Sequence, residues 1–352
     1  MMTITLGMFS EGKKSLLAMS KRVLKSKSQS CLNDFINKST WNEKDVNDLR
    51  LKMLQKNSEF AFSSKGYFVI DDCLIEEFGK QMEGVGEHFD HADNTYKQAR
   101  ILTVLFYIEG ENWYPVDVRP YYKKEWDDDI DFKTKNELAL EMIKEHLPEN
   151  KENYPICLFD SWYSGTKLLK SLDEIDVKFV TRLKSNRNLY HQEKKYKPKE
   201  LFSTLDTDIA QAELEGWNKV LTVALGEQRE NAQDKDDNFF LISNIETTTA
   251  KELQNHYDFR WPIEPMFKDM KQLFGWADIS FKGSLAVLRM IYISFLAYTI
   301  AMKERLKQKC TATVGNICNF FRNLSLKNII KKAFTFGSQN LSLELLFSSF
   351  GL

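Results

Sequence analysis

The segment Tyr257–Lys271 reads YDFRWPIEPMFKDMK. It sets a tyrosine, an arginine, a glutamate and two lysines at steps of three, four, four and three: Tyr257, Arg260, Glu264, Lys268 and Lys271. Positions three and four apart share one face of a helix. One carboxylate therefore falls on a stripe of cations and a phenol, a grouping suited to gripping a phosphate backbone beside a metal ion. The same spacing also describes an ordinary surface helix with i, i+4 Glu/Lys pairs. Pro262 and Pro265 interrupt the stripe. Proline is tolerated only in the first turn of a helix. A helix is therefore expected to start near Pro262 with Glu264 in its first turn. Tyr257 and Arg260 then belong to a shorter helix that begins near Lys251, or precede a kink.

Upstream, the pattern is that of a sheet. GYFVIDDCLIE from Gly66, ARILTVLFYIEG from Ala99 and NWYPVDVRPYY from Asn112 read as three strands, the last two joined by a turn at Glu109–Asn112. The stretch EGVGEHFDHADN between the first two reads as a polar linker. A helix follows near Thr134–His146, then a strand in YPICLFDSWYSG that ends at Asp160, a short helix, and a strand in DVKFVTRLKS. Three strands, helix, strand, helix, strand is the order of a ribonuclease-H-like mixed sheet with helices on its faces. The expected organisation is a helical N-terminal region at 1–60 with possible DNA contacts and the first part of the core at 61–185. An inserted, mostly β subdomain follows at 186–237. The rest of the core, with the opening stripe, occupies 238–302, and a basic helical C-terminal region 303–352.

Net charge is −1 over 352 residues, so no global basic field points to nucleic acid. The charge is unevenly spread. Residues 1–56 carry 11 Lys/Arg against 5 Asp/Glu, and residues 303–333 carry 8 against 1. Basic ends around an acidic centre suit DNA contacts through the flanks, and lysine-rich solvated helices give the same count. The five cysteines (Cys31, Cys73, Cys157, Cys310 and Cys318) are odd in number and include no CxxC pair. That argues for a reducing, cytoplasmic setting without a zinc site or a disulfide framework. The run Ser284–Met302 is nearly long enough to span a membrane, but it contains Arg289. It reads as a buried core helix, with no membrane partner.

Asp72 and Asp160 stand at or near the ends of two strands that this sheet order can make neighbours. Glu264 can supply a third carboxylate from a helix. The separations, 88 and then 104 residues, exclude a local loop site. Three oxygen ligands from separate elements suit Mg²⁺ or Mn²⁺, and two such ions support phosphodiester transfer. Taken singly, each strand-end aspartate is more often a loop cap than a ligand.

YFVIDDC, CLFDSWYSG and the Tyr-x2-Arg-x3-Glu-x6-Lys spacing together resemble the three catalytic blocks of insertion-sequence DDE transposases that carry the Tyr-Arg-Glu-Lys motif. The resemblance covers about residues 30–300, and the last block matches at every spacing. It implies a DNA transposase that cleaves transposon ends and transfers strands into target DNA, by cut-and-paste through a hairpin intermediate, as a dimer on DNA with two Mg²⁺ or Mn²⁺ ions. It implies Asp72, rather than Asp71, together with Asp160 and Glu264, as the catalytic and metal-binding triad. It also implies that Tyr257, Arg260, Lys268 and Lys271 contact DNA phosphates. Cys73 and Pro265 depart from the family pattern, at positions where threonine and a helix-former are usual. The alternatives are a catalytically inactive DNA-binding remnant, to which Pro265 lends weight, and a ribonuclease-H-like nuclease that does not transpose.

Overall fold

The computed structural model describes residues 1–23, 26–79, 82–90, 93–124, 132–227, 239–308 and 312–324, and residue 331. The acidic stretch 125–131, Cys310 and most of the basic C-terminal region expected at 303–352 lie outside the described residues. In chain order the helices are α1 (Met2–Met8), α2 (Leu16–Arg22), α3 (Gln29–Asn37), α4 (Glu43–Gln55), α5 (Lys135–His146), α6 (Thr166–Glu174), α7 (Pro198–Thr204), α8 (Ala250–Asp258), α9 (Ile263–Gln272) and α10 (Ser284–Lys307). The strands are β1 (Tyr67–Glu76), β2 (Gly86–Asp90), β3 (Thr95–Glu109), β4 (Asn112–Tyr121), β5 (Ile156–Phe159), β6 (Phe179–Leu183), β7 (Leu189–His191), β8 (Lys194–Tyr196), β9 (Ile209–Leu214), β10 (Trp217–Gly226) and β11 (Phe239–Ser243). Two compact units emerge. One holds Met1–Asn57, Leu74–Arg100 and the described residues from Glu264 on; the other holds Ser58–Cys73 and Ile101–Ile263.

The second unit is built on a sheet. From β4 its order runs β4-β3-β1-β5-β6, the ribonuclease-H-like arrangement expected from the order of elements. β3 and β4 are antiparallel, and their turn uses Gly110 at φ 57, a backbone angle that glycine adopts without strain. β1 pairs parallel with β5, and β5 with β6, through the crossover helix α6. β3 is buried from Ile101 to Ile108, which explains its unbroken apolar run: both of its faces are covered. β11 then pairs antiparallel with β6, and β10, β9, β7 and β8 continue the same sheet, so the strands of segment 186–237 extend it edgewise. α5 starts at a capping box in which Thr134 and Glu137 satisfy each other's backbone groups.

The first unit is mainly helical. Residues 1–60 form four helices, two more than the periodicity of the sequence suggested; α1 and α3 are the additional ones. The polar stretch 83–94 is not only a linker. It contains β2, which pairs with the first half of β3 from Gly86↔Ala99 to Asp90↔Thr95. Its strand character is hidden because only Gly86 and His88 of its five residues are buried. α9 begins at Ile263, so Pro265 falls in its first turn, where a backbone N–H has no intrahelical acceptor to lose. α10 is long and apolar enough to cross a membrane, yet most of it is buried inside this unit, against α1, α3 and α4.

Arg289 sits in the middle of α10 and is 4% exposed. Its guanidinium donates to the carbonyls of Ile36 (2.7 Å), Ser39 (2.7 Å) and Trp41 (2.6 Å). It also lies 4.7 Å over the Trp41 ring. The charge that made α10 a poor membrane span thus ties down the chain leaving α3, where helix carbonyls lack partners. Arg289→Leu is expected to cost about 2–4 kcal/mol, since it strands one buried and two part-buried carbonyls. Denaturant titration checks this, and a loss below about 0.5 kcal/mol would contradict it.

Burial pushes the Asp269 carboxyl up to about 6, against the opposing pull of Lys268 and Arg305. The folded chain therefore holds this proton more tightly than the unfolded chain does. Stability from the group is fully present below its ordinary value of 3.8 and is lost as pH rises through about 6. Asp269→Asn should gain on wild type by on the order of 1 kcal/mol between pH 4 and pH 7. Melting curves at the two pH values test it; an equal difference at both would rule out the assignment.

Candidate active site

The contacts that build the site lie within the sheet-built unit. Successive residues of a strand point to opposite faces, so Asp71 and Asp72 in β1 cannot serve the same face. Tyr67, Val69 and Asp71 share one. On that face Tyr67 stacks on Phe259, with centroids 4.7 Å apart, and its hydroxyl meets His256 Nδ1 at 2.9 Å. This is the face that α8 covers.

The register between β1 and β5 pairs Tyr67 with Ile156, Phe68 with Cys157 and Val69 with Leu158. Carried two residues further, it sets Asp71 beside Asp160 on the same face. Asp160 caps the 3-10 turn Ser161–Tyr163, and its Oδ1 accepts from the Trp162 N–H at 2.9 Å. Both acids are strongly desolvated, and burial is the largest cause of the shift in each. The Asp71 carboxyl is pushed up to about 7, with the negative charges of Asp160 and Asp72 adding to burial and Arg260 opposing it. Asp160 is also raised, by burial and by Asp72, with the Trp162 N–H and Arg260 pulling the other way. Arg260 donates to Asp71 Oδ2 at 2.9 Å. Two acids and one guanidinium therefore share a half-buried spot that carries more negative charge than it neutralises. An oxygen donor set with surplus negative charge fits a hard divalent cation.

Asp72 points the other way and is already engaged. Its Oδ1 accepts from Tyr163 Oη at 2.6 Å and from Thr103 Oγ1 at 3.0 Å. Its Oδ2 meets Lys135 Nζ at 2.6 Å. Lys135 is further held between the rings of Tyr121 (5.3 Å) and Trp162 (5.1 Å). This carboxylate joins β1, β3, the turn after β5 and the start of α5.

The opening stripe is divided between α8 and α9. Tyr257, at the end of α8, is only 7% exposed, and the Arg260 guanidinium lies 5.8 Å from its ring centre. Burial pushes the Tyr257 phenol up to about 12. Arg260 occupies the turn between the two helices. Glu264, Lys268 and Lys271 lie on α9, in the helical unit, with Glu264 in its first turn and exposed. Sequence reasoning missed Thr103, Lys135 and Tyr163. Only Tyr163 left a trace, as the aromatic three residues past Asp160 in FDSWY.

A separate group, Asp117, Glu145 and His146, brings three potential ligand atoms within 4.8 Å of one another. Arg119 already bridges both acids, at 2.8 Å to Asp117 and 2.5 Å to Glu145, and His146 Nε2 meets Asp117 at 3.0 Å. Its negative charge is met from within, so it is a structural network.

Known proteins share this chain's sequence pattern and fold. Residues 4–201 match the family described as DDE superfamily endonuclease, and residues 133–300 match the transposase DDE domain. A probable transposase for insertion sequence element IS701 from Microchaete diplosiphon is 24% identical over 292 residues, covering 77% of this chain and 74% of that protein. The piggyBac transposase, solved in a synaptic complex with hairpin DNA, has a similar fold. Its TM-score is 0.50 at 12% identity, over 91% of this chain and 69% of that one.

The two aspartates should respond differently to substitution in metal-free protein. Asp72→Ala strands the Tyr163 and Thr103 hydroxyls and the Lys135 ammonium, and is expected to cost about 2–4 kcal/mol. Asp71→Asn removes a repelling charge and should leave stability unchanged or raised at pH 8. Denaturant titration in EDTA measures both; a larger loss for Asp71→Asn would reverse the assignment of roles.

Proposed function

The chain belongs to the DDE superfamily endonuclease family, and on that premise we propose that it is the transposase of an insertion sequence, cutting DNA at the element's ends and joining them to target DNA. The observation that carries the reading is the Asp71–Asp160 pair: two half-buried acids on one face of two parallel strands, with net negative charge between them. Divalent metal dependence goes with the family. The expected ligand Asp72 is engaged on the opposite face, so we propose Asp71 and Asp160 as the sheet-borne metal ligands and Asp72 as the residue that orders the strand end carrying them. Glu264 is the proposed third ligand, on the strength of its place in the Tyr-Arg-Glu-Lys spacing and in the first turn of α9.

Mg²⁺ or Mn²⁺ bound there, as the two ions that the family resemblance implies, would supply Lewis-acid stabilisation of the phosphoryl oxygens and a more acidic water. The chain's own residues do the rest. Asp71 and Asp160 hold the negative charge that draws the cations in. Arg260 fixes the Asp71 carboxylate and places a guanidinium charge of the kind that meets a phosphate oxygen beside it. Lys268 and Lys271, on the α9 stripe, are proposed as backbone phosphate contacts. Tyr257, buried under Arg260, sets the position of the guanidinium. In the first step water adds to phosphorus and the P–O3′ bond breaks, freeing a 3′-hydroxyl. In the second that hydroxyl attacks a phosphodiester, forming a new P–O bond and expelling the attacked strand's own 3′-oxygen as a hydroxyl: the opposite strand if the route passes through a hairpin, and target DNA at insertion. Joining two ends implies a dimer on DNA.

An inactive remnant drew its support from Pro265. That residue occupies a position in α9 where proline does no harm, so the active reading is favoured.

The purified chain is expected to nick linear DNA carrying the element's two ends in Mg²⁺. Asp160→Asn should abolish cutting, by at least about 100-fold, while still retarding the same DNA in a gel. A variant that cuts at the wild-type rate, or a wild-type chain that neither binds nor cuts its own ends, would refute the proposal.

A further inference from the structure

The helical unit carries a three-stranded arm that the proposed reaction leaves without a task. It consists of β2, the first half of β3 and the end of β1 from Leu74. The Glu77 N–H, just past β1, still donates to the Gln98 carbonyl of β3 at 2.8 Å. The root of the arm is held fast. Arg100 pairs with Glu77 at 3.0 Å, both side chains buried, and donates to the Phe281 carbonyl at 2.8 Å. The Glu83 N–H donates to the Lys282 carbonyl at 2.9 Å, and the Glu83 carboxylate accepts from the Ser284 N–H at 2.9 Å. The far end is open. Phe78 is 89% exposed, Tyr96 69% and Phe89 38%. Phe89 and Tyr96 are cross-strand partners, edge to face with ring centres 5.2 Å apart. Aromatics held in the open on an anchored support mark a contact surface. The charge of the arm says what kind. Residues 74–100 carry six Asp/Glu against three Lys/Arg, a balance of −3. Lys97, the one cation among the described residues 74–99, is held by Asp90 at 2.8 Å and Asp93 at 2.5 Å, with Glu76 at 3.9 Å. DNA binding needs cations to meet phosphates, so an acidic aromatic arm suits a protein partner and repels DNA.

We propose that the arm binds residues 326–336 of a second copy of this chain. That segment reads LKNIIKKAFTF: three lysines and no acid, a balance of +3 that matches the −3 of the arm. Its isoleucines and phenylalanines supply the apolar surface that Phe78, Phe89 and Tyr96 lack, and its lysine heads meet the carboxylates around them. The chain on either hand is accessible, since Leu324 and Lys331 are both exposed. Two arms cannot pair with each other, because both are acidic. Arm to segment and segment to arm is a reciprocal contact, so a two-fold axis closes it at a dimer. The inference rests on the transposase reading for the need to bring two copies together. The contact itself uses neither DNA nor metal, so the two are tested apart.

The test is sedimentation equilibrium of the full chain in EDTA, without DNA, over a micromolar concentration series at low and high salt. Wild type should form a dimer that loosens as salt rises, since charges are paired across the contact. The double substitution Phe78→Ser, Tyr96→Ser should weaken the dimer by about tenfold or more. Lys331→Glu with Lys332→Glu should do the same, and adding Glu87→Lys to that pair should recover part of the loss. Phe78, Tyr96, Glu87 and Lys331 are exposed, and unchanged melting curves would confirm that the variants fold. A chain that stays monomeric at every concentration, as it would with the segment folded onto its own arm, overturns the proposal. So does a dimer that the Phe78 and Tyr96 substitutions leave intact, or one that weakens with them but not with the lysine reversals. If wild type pairs as expected yet neither binds nor cuts its own ends, the surface stands and the transposase reading falls.

Discussion

Two carboxylates forced together out of water repel each other, and that repulsion organises the sheet-built unit. Asp71 and Asp160 come side by side because β1 and β5 are parallel and in register. Burial makes their charge costly, and one guanidinium does not cancel it. In a protein that needed only stability, such a pair would be a defect. In the reading proposed above it is the feature that would draw a divalent cation to the site, and the surrounding structure can be understood as the support that keeps the pair in place.

That support comes from the other face of the same strand. Asp72 gathers Tyr163, Thr103 and Lys135, and through them fixes the end of β1 to β3, to the turn that carries Asp160, and to α5. Adjacent aspartates in one strand thus have separate tasks, set by the alternation of the strand. The Trp162 N–H orients the Asp160 carboxylate. Arg260, in the turn after α8, ties the carboxylate pair to that turn.

Much of this was legible in the sequence. Runs such as VIDDC and CLFD announced strands that carry acids, within β1 and just past the end of β5, and the two prolines set the boundary between α8 and α9 where it is found. The core sheet order followed from the order of strands and helices. What stayed hidden has physical causes. β2 is polar because one side of it is open, so its composition resembles a loop. The choice between Asp71 and Asp72 turns on strand register, which a single sequence does not encode until a partner strand is known. Lys135, Tyr163 and Thr103 meet Asp72 from 63, 91 and 31 residues away, and no local pattern marks them.

The most direct measurement is anomalous X-ray diffraction from crystals of the chain soaked in Mn²⁺. The account predicts a manganese peak bridging Asp71 and Asp160, with Asp72 still bound to Lys135, Tyr163 and Thr103. Manganese coordinated by Asp72 in place of Asp71, or no manganese at either aspartate under saturating conditions, would contradict it.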